Sequence, residues 1–185
     1  YLKRRFGLTA PVYKGTDKPL VRPRNPSPTF VHGENGLGDV ELTGHVPEQP
    51  EAKPAHQAII DLARQYPGEV VLCAVGPLTN LALALKADPE VATLLKSVVI
   101  MGGAFGVAGK PGNVTPVAEA NIWNDPEAAD QVFTAPWNLT AVSLDVTTQV
   151  VMSPAFMEAL AAGGSDAGGF LNEISKPYAA FYGGR

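Results

Sequence analysis

Strands alternating with helices along this chain predict an α/β protein, with a mostly parallel open sheet and helices on both faces, of Rossmann-like type. Three observations carry the prediction. The run Val70–Val75 is continuously apolar, as a strand inside a parallel sheet is. A second such run, Val98–Met101, follows two helical patterns. The helices open on turn or cap signals, Gly76-Pro77, Asp125-Pro126 and Ser153-Pro154.

The elements follow in order. Leu2–Arg5 reads as the tail of a helix, with Lys3, Arg4 and Arg5 placed before Gly7. Residues 10–30 hold Pro11, Pro19, Pro23, Pro26 and Pro28 and read as irregular connection, with a short strand near Val12–Tyr13. Residues 31–50 mix glycine, proline and charge without a period, which predicts a long exposed loop. A helix is expected over 52–66, where Ala55, Ile59, Leu62, Ala63 and Tyr66 share a face and Pro67-Gly68 ends the pattern. The strand at 69–75 is expected to be buried on both faces, so that Cys73 is a buried thiol and not a nucleophile. In the helix over 78–87, Leu78, Leu81, Ala82 and Leu85 keep helical spacing. A short helix at 89–95 and a strand at 97–101 come next. Asp125 as N-cap and Pro126 at the first position open a helix over 125–134, and a strand over 138–144 follows. Ser153-Pro154 repeats the signal for a helix over 154–162, which Gly163-Gly164 closes. The last helix, 166–182, is expected to kink or break at Pro177.

Composition narrows the function classes. A chain of 185 residues that is 45% hydrophobic can bury one sizeable core, so one domain is the default. A net charge of −4 without a long basic run argues against nucleic acid or an anionic membrane surface as the main partner. The one cysteine excludes a disulfide framework and fits a reducing, cytoplasmic setting. No apolar stretch reaches spanning length, and no signal-peptide pattern opens the sequence. The first residue is Tyr1, and the last helical pattern stops at Phe181-Tyr182-Gly183 without a closing signal. The expectation is an excerpt, with amino- and carboxyl-terminal parts lying outside residues 1–185.

The candidate chemistry lies between Val98 and Ala129, which reads VVIMGGAFGVAGKPGNVTPVAEANIWNDPEAA. A loop at the carboxyl end of a parallel strand is where open α/β sheets bind small ligands. Glu119 and Asn121 lie two apart and point to one side if the segment is extended. A carboxylate beside an amide suits neighbouring hydroxyls, since one accepts and the other both donates and accepts. A competing reading has the pair merely capping the next helix, and spacing alone favours it. Asn113, after Gly112, reads equally as a turn residue. Gly33-Glu34-Asn35-Gly36-Leu37-Gly38 has the spacing GxxGxG with no preceding strand, which is not a dinucleotide fingerprint. His32 before it is either a solvated loop histidine or a contact on a mobile lid. His45 and His56 have no ligand spacing. No HExxH, CxxC, GxSxG or DxDxDG pattern occurs, so zinc, EF-hand and serine-hydrolase readings have no support.

Six motifs in register raise the specificity. They are His32 to Gly38, Val75-Gly76-Pro77-Leu78-Thr79-Asn80-Leu81-Ala82, Met101-Gly102-Gly103, Gly112-Asn113, Ala118-Glu119-Ala120-Asn121 and Asn124-Asp125-Pro126-Glu127-Ala128-Ala129. In this order the chain resembles the inosine-uridine-preferring nucleoside hydrolase family over essentially its whole length. Pro11-Val12-Tyr13 with Lys18-Pro19-Leu20-Val21-Arg22 resembles the segment just before, and Leu144-Asp145-Val146-Thr147 the one after.

The resemblance implies a nucleoside hydrolase-like fold and a calcium-dependent hydrolysis of the N-glycosidic bond of ribonucleosides, giving ribose and free base. It implies that the Val75 carbonyl is a calcium ligand and that Met101, Asn113, Glu119 and Asn121 line the ribose pocket. Asn113 and Glu119 would hold the 5′-hydroxyl and Asn121 the ring diol, while His32 would lie on a loop that closes over the base. Homodimers or homotetramers are implied as well. The family's DxDxxxDD motif, which supplies most calcium carboxylates and the base, is absent from this sequence, as is the carboxyl-terminal His-Asp pair with the candidate acid. Ala120 stands where the family has an aromatic residue. The expectation is that no catalytic residue lies in this chain and that the chain alone is inactive without tight calcium binding. The alternative is a shortened, non-catalytic nucleoside- or ribose-binding module.

Overall fold

The computed structural model describes residues 1–43, 49–107 and 109–183. His45 falls outside them. In chain order the elements are α1 (Leu2–Arg5), β1 (Tyr13–Lys14), α2 (Thr29–His32), β2 (Glu51–Pro54), α3 (Ala55–Gln65), β3 (Val71–Ala74), α4 (Thr79–Ala87) and α5 (Val91–Leu94). Then come β4 (Ser97–Met101), α6 (Ala120–Asn124), α7 (Pro126–Thr134), β5 (Leu139–Val142), α8 (Leu144–Thr147), α9 (Pro154–Ala162) and α10 (Asp166–Gly183). The chain divides into two compact units, residues 11–25 with 50–150, and residues 1–10 with 26–49 and 151–185.

The larger unit is the expected α/β core. Its sheet has the order β3-β4-β5 and every pair is parallel, with Leu72 opposite Val98 and Val98 opposite Leu139. The connections are helical, α4 and α5 before β4, then α6 and α7 before β5, so the sheet is flanked by helices as parallel crossovers require. β4 is central: Val98 and Ile100 are wholly buried and alternate with half-buried neighbours. They pack with Leu78, Leu81 and Ala82 of the α4 region, Val91, and Ala128 and Val132 of α7. Trp137 closes this core at the foot of β5, its indole N–H donating to the Val132 carbonyl at 2.8 Å. A two-stranded parallel pair, β1 with β2, lies in the same unit.

Several boundaries differ from the sequence expectation, each for a local reason. Residues 51–54 form a strand because Pro54 disfavours helix in the residue before it, so α3 starts at Ala55. On α3 the buried residues are Ala58, Ile60 and Ala63, while Leu62 and Tyr66 of the expected face are 42% and 44% exposed. Cys73 is exposed and not buried, and Val71 is 52% exposed. Among the described residues β3 pairs with β4 alone, so it is an edge strand with an open face. An apolar run marks a strand, but it does not show that both faces are covered.

The smaller unit holds α1, α2, α9 and α10. Ser153 caps α9 as expected, its hydroxyl accepting from the Phe156 N–H at 3.2 Å. α10 runs through Pro177 without a break. Gly168 is required where α10 meets α9, since a Cβ there would lie 2.5 Å from the Leu160 carbonyl oxygen. Arg5 forks onto Asp166 at 2.6 and 3.1 Å and lies over the Phe170 ring. Residues 31–50 are not uniformly loop. Val31 and His32 end α2, and Asn35 then organises a turn, its Oδ1 accepting from the N–H groups of Leu37 at 2.8 Å and Asp39 at 3.1 Å.

Candidate functional site

In the larger unit the carboxyl end of β4, the turn after β3 and the start of α6 converge on one set of polar groups. Glu119 is the N-cap of α6 and is 2% exposed. Its Oε1 accepts from the Asn121 N–H at 2.9 Å, and its Oε2 from Gly103 at 3.0 Å and Ile122 at 3.2 Å. One carboxylate thus satisfies two otherwise unpaired N–H groups of a helix start and ties that helix to the glycine turn after β4. The helix begins at Ala120, so Glu119 and Asn121 do not share an extended segment. The capping role that spacing favoured is present in full for Glu119.

Asn121 sits in the first turn of α6. Its Nδ2 donates to the Met101 carbonyl at 2.9 Å, lies 3.3 Å from the Met101 sulfur, and reaches the Val75 carbonyl at 3.5 Å. Met101 ends β4 and Val75 directly follows β3, where main-chain oxygens lose their ladder partners. Asn113 is exposed on the loop before α6, with Oδ1 accepting from the Ala120 N–H at 2.9 Å. The structure therefore brings Val75, Met101, Asn113, Glu119 and Asn121 together around one helix start. His32 lies in the other unit, exposed, its ring stacked on Tyr178 with centroids 5.8 Å apart.

Three further groups make contacts that the sequence does not disclose. Asp145 is 6% exposed, and its Oδ2 accepts from the Phe105 N–H and the Ser143 hydroxyl, each at 2.8 Å, which pins the turn that leaves β4. Asp125 is wholly buried and accepts from the Thr79 hydroxyl at 2.6 Å besides capping α7 through the Ala128 N–H. The cap was legible from the Asp-Pro signal; the partner 46 residues away was not. Tyr178 and Tyr182 form a ring pair with centroids 4.6 Å apart beside His32. Burial, and then Tyr182, pushes the Tyr178 phenol above the ordinary tyrosine value. The spacing of four on an aromatic-rich helix was the signal available for that pair.

The donor set can be tested against calcium, which takes about six to eight oxygens, several of them carboxylate. The Val75 carbonyl is one neutral oxygen, already within reach of Asn121 Nδ2. The Glu119 carboxylate is engaged by three main-chain N–H groups, and Asp125 by Leu20, Thr79 and Ala128. Among the described residues no three His, Cys, Asp or Glu side chains gather as a metal shell would need. By themselves these residues do not fit the ion.

The profile of the inosine-uridine preferring nucleoside hydrolases matches residues 1–185. The chain belongs to that family. It is 48% identical to uridine nucleosidase 1 of Arabidopsis thaliana over 143 residues, 77% of this chain and 41% of that protein. It is 38% identical to the inosine-uridine preferring nucleoside hydrolase of Leishmania major, over 93% of this chain and 54% of that one. Among solved structures, a plant nucleoside hydrolase, the PpNRh1 enzyme, superposes with a TM-score of 0.89 at 36% identity, covering 98% of this chain and 56% of the enzyme. A purine-preferring ribonucleoside hydrolase from Gardnerella vaginalis gives 0.88 at 35% identity, covering 95% and 55%. The chain thus spans about half the length of the relatives it matches. The parallel sheet β3-β4-β5 and its helical crossovers are the part of the family fold that carries the Asn121 cluster. No helix among the described residues is long and apolar enough to cross a membrane.

Proposed function

We propose that the protein carrying this chain hydrolyses the N-glycosidic bond of ribonucleosides, and that these residues form the ribose-gripping wall. The hydrogen-bond roles left over at the two amides carry the reading. The Asn121 nitrogen is engaged by carbonyls, which leaves Oδ1 to accept; Asn113 Oδ1 is engaged by Ala120, which leaves Nδ2 to donate. One acceptor and one donor beside a strand end suit a sugar, whose hydroxyls do both. The Met101 side chain adds an apolar, polarisable wall.

In the reaction, water adds to the anomeric carbon as the bond to the base breaks, and the base leaves with a proton. The transition state is oxocarbenium-like, so contacts to ribose hydroxyls that hold the ring flattened are stronger there than in the ground state. Asn121 and Asn113 supply such contacts. Glu119 holds the start of α6 and lends negative charge near the ring. The base that activates water and the acid that protonates the leaving group belong to parts of the longer protein outside these residues. Calcium dependence belongs to that protein too, with the Val75 carbonyl as one ligand among others supplied from elsewhere. His32 is assigned to the nucleobase in this reading by family likeness alone; within its own unit its ring stacks on Tyr178. A cytoplasmic homodimer or homotetramer completes the proposal, supported by family likeness and by the single cysteine.

A second reading, a nucleoside- or ribose-binding module without catalysis, is favoured by the engagement of the Glu119 and Asp125 carboxylates with protein donors. Ribose release from inosine and uridine separates the two. The full-length gene product is expected to release ribose and the 185-residue chain alone to release none. Release by the short chain would overturn the placement of base and acid outside it. Binding without release by the full-length product would establish the second reading.

A further inference from the structure

Two ties join the turn after β3 to helix α6, and they are in register. Asn121 Nδ2 reaches the Val75 carbonyl at 3.5 Å; four residues further along both segments, the Thr79 hydroxyl donates to Asp125 Oδ2 at 2.6 Å. The first sits at the length limit of a hydrogen bond and is open to solvent. The second is short, involves an acidic side chain, and is buried: Thr79 is 6% exposed and Asp125 is 0% exposed.

We propose that the Thr79–Asp125 pair is a positioning device for the ribose wall, setting the separation between the Val75 carbonyl and the Asn121 amide. This rests on the ribose-binding reading above. The Asp125 carboxylate gathers three segments: Oδ2 accepts from the Leu20 N–H at 3.0 Å as well as from Thr79, and Oδ1 from the Ala128 N–H at 3.1 Å. Thr79 is the first residue of α4, four after Val75; Asp125 follows the last residue of α6, four after Asn121. Helix α6 has five residues, little more than one turn, so its carboxyl end cannot move without carrying Asn121. The flanking ties are weaker. Asn80 Oδ1 accepts from the Thr16 N–H at 3.0 Å on an exposed edge, and Asn25 donates to Asn124 at 3.1 Å. Leu20 and Arg22 reach the same corner, the latter through its ion pair with Glu127 at 2.7 Å, so Asp125 also fixes the proline-rich segment.

The test is made in the full-length gene product with Thr79→Val, which removes the hydroxyl at nearly constant volume, and Thr79→Ser, which keeps it. Ribose release, thermal midpoint, and hydrogen exchange in peptides covering 76–82 and 119–125 are measured together. In Thr79→Val, kcat/KM is expected to fall about 10- to 100-fold through misplaced ribose contacts, with exchange faster in both peptides. Thr79→Ser should stay within about threefold of the parent, as rescue by the retained hydroxyl requires. Parent-like kcat/KM in Thr79→Val, or equal damage from serine and valine, overturns the proposal. So does a loss of kcat/KM that occurs without faster exchange at 119–125. Should the parent itself release no ribose, the hydrolase reading fails, and exchange decides alone: faster exchange at 119–125 in valine and not in serine sustains the device, and unchanged exchange overturns it.

Discussion

Asn121 donates from Nδ2 to the main-chain oxygen of Met101 at 2.9 Å, and this one bond fixes which way its amide faces. An amide turned the other way would set its oxygen against carbonyl oxygens. The orientation is therefore dictated by the strand ends beneath it, and the role left for a ligand, hydrogen-bond acceptance by Oδ1, follows from the backbone and not from the side chain's own freedom.

Asn121→Asp is expected to damage sugar binding more than Asn121→Ala. The aspartate places an oxygen against the Met101 and Val75 carbonyls, where the native amide donates. Alanine only removes the contact, at a cost of about tenfold in affinity for one hydrogen bond. Calorimetric titration of full-length protein with a nucleoside checks the order. An aspartate variant that binds as well as alanine would contradict the amide orientation.

Glu119→Ala is expected to lower unfolding free energy by about 2–4 kcal/mol, since it leaves the buried N–H of Gly103 and the half-buried N–H groups of Asn121 and Ile122 without their acceptor. Glu119→Gln keeps one oxygen and turns an NH₂ toward the remaining donors, so its loss is smaller but not absent. Urea unfolding followed by circular dichroism gives both values. Equal stability of parent and alanine variant would remove Glu119 from the role of clamp.

Where the sequence was readable and where it was not follows from the range of the interactions. α4 and α7 were legible because Leu78, Leu81 and Ala82, and the Asp125-Pro126 cap, are signals contained within one or two turns. β3, β4 and β5 were legible as apolar runs, but the exposure of Cys73 depends on what covers β3, which no local pattern encodes. Glu119 and Asn121 are candidate site residues by resemblance; spacing alone points to a cap, and Glu119 is one. The Thr79–Asp125 and Phe105–Asp145 bonds join residues 46 and 40 apart, so they appear once the chain is folded.

Gly112→Ala is expected to destabilise the loop that presents Asn113. A Cβ at Gly112 would lie 2.3 Å from the Ala118 carbonyl oxygen and 2.4 Å from the Thr115 oxygen, both main chain, so the backbone must shift. Overpacking of this kind costs about 1–3 kcal/mol. The shift also moves Asn113 away from the Ala120 N–H, so nucleoside affinity should fall alongside stability. Proteolysis within 110–118, faster in the variant, together with a raised KM in the full-length protein, supports this. A variant matching the parent in both would show that the loop absorbs the methyl group without moving Asn113.

Alkaline titration probes the smaller unit. Burial, the main cause, and then the neighbouring Tyr182 raise the Tyr178 phenol above its reference value of 10.0. The folded state thus holds this proton more tightly than the unfolded chain does. The stabilisation from this group is fully present below the unfolded value, about pH 10, and is lost as pH rises through the folded one. At neutral pH the group contributes no slope. Tyr182→Phe removes the neighbour's charge and hydrogen bond but leaves the burial, so Tyr178 should titrate earlier than in the parent and still later than a free tyrosine. The chain has five tyrosines, so the phenolate absorbance of Tyr178 is isolated by subtracting the Tyr178→Phe curve. A Tyr178 that titrates at the free value in the parent would show that the ring stacked on His32 is open to water, and that the aromatic cluster is looser than its 5.8 and 4.6 Å ring separations indicate.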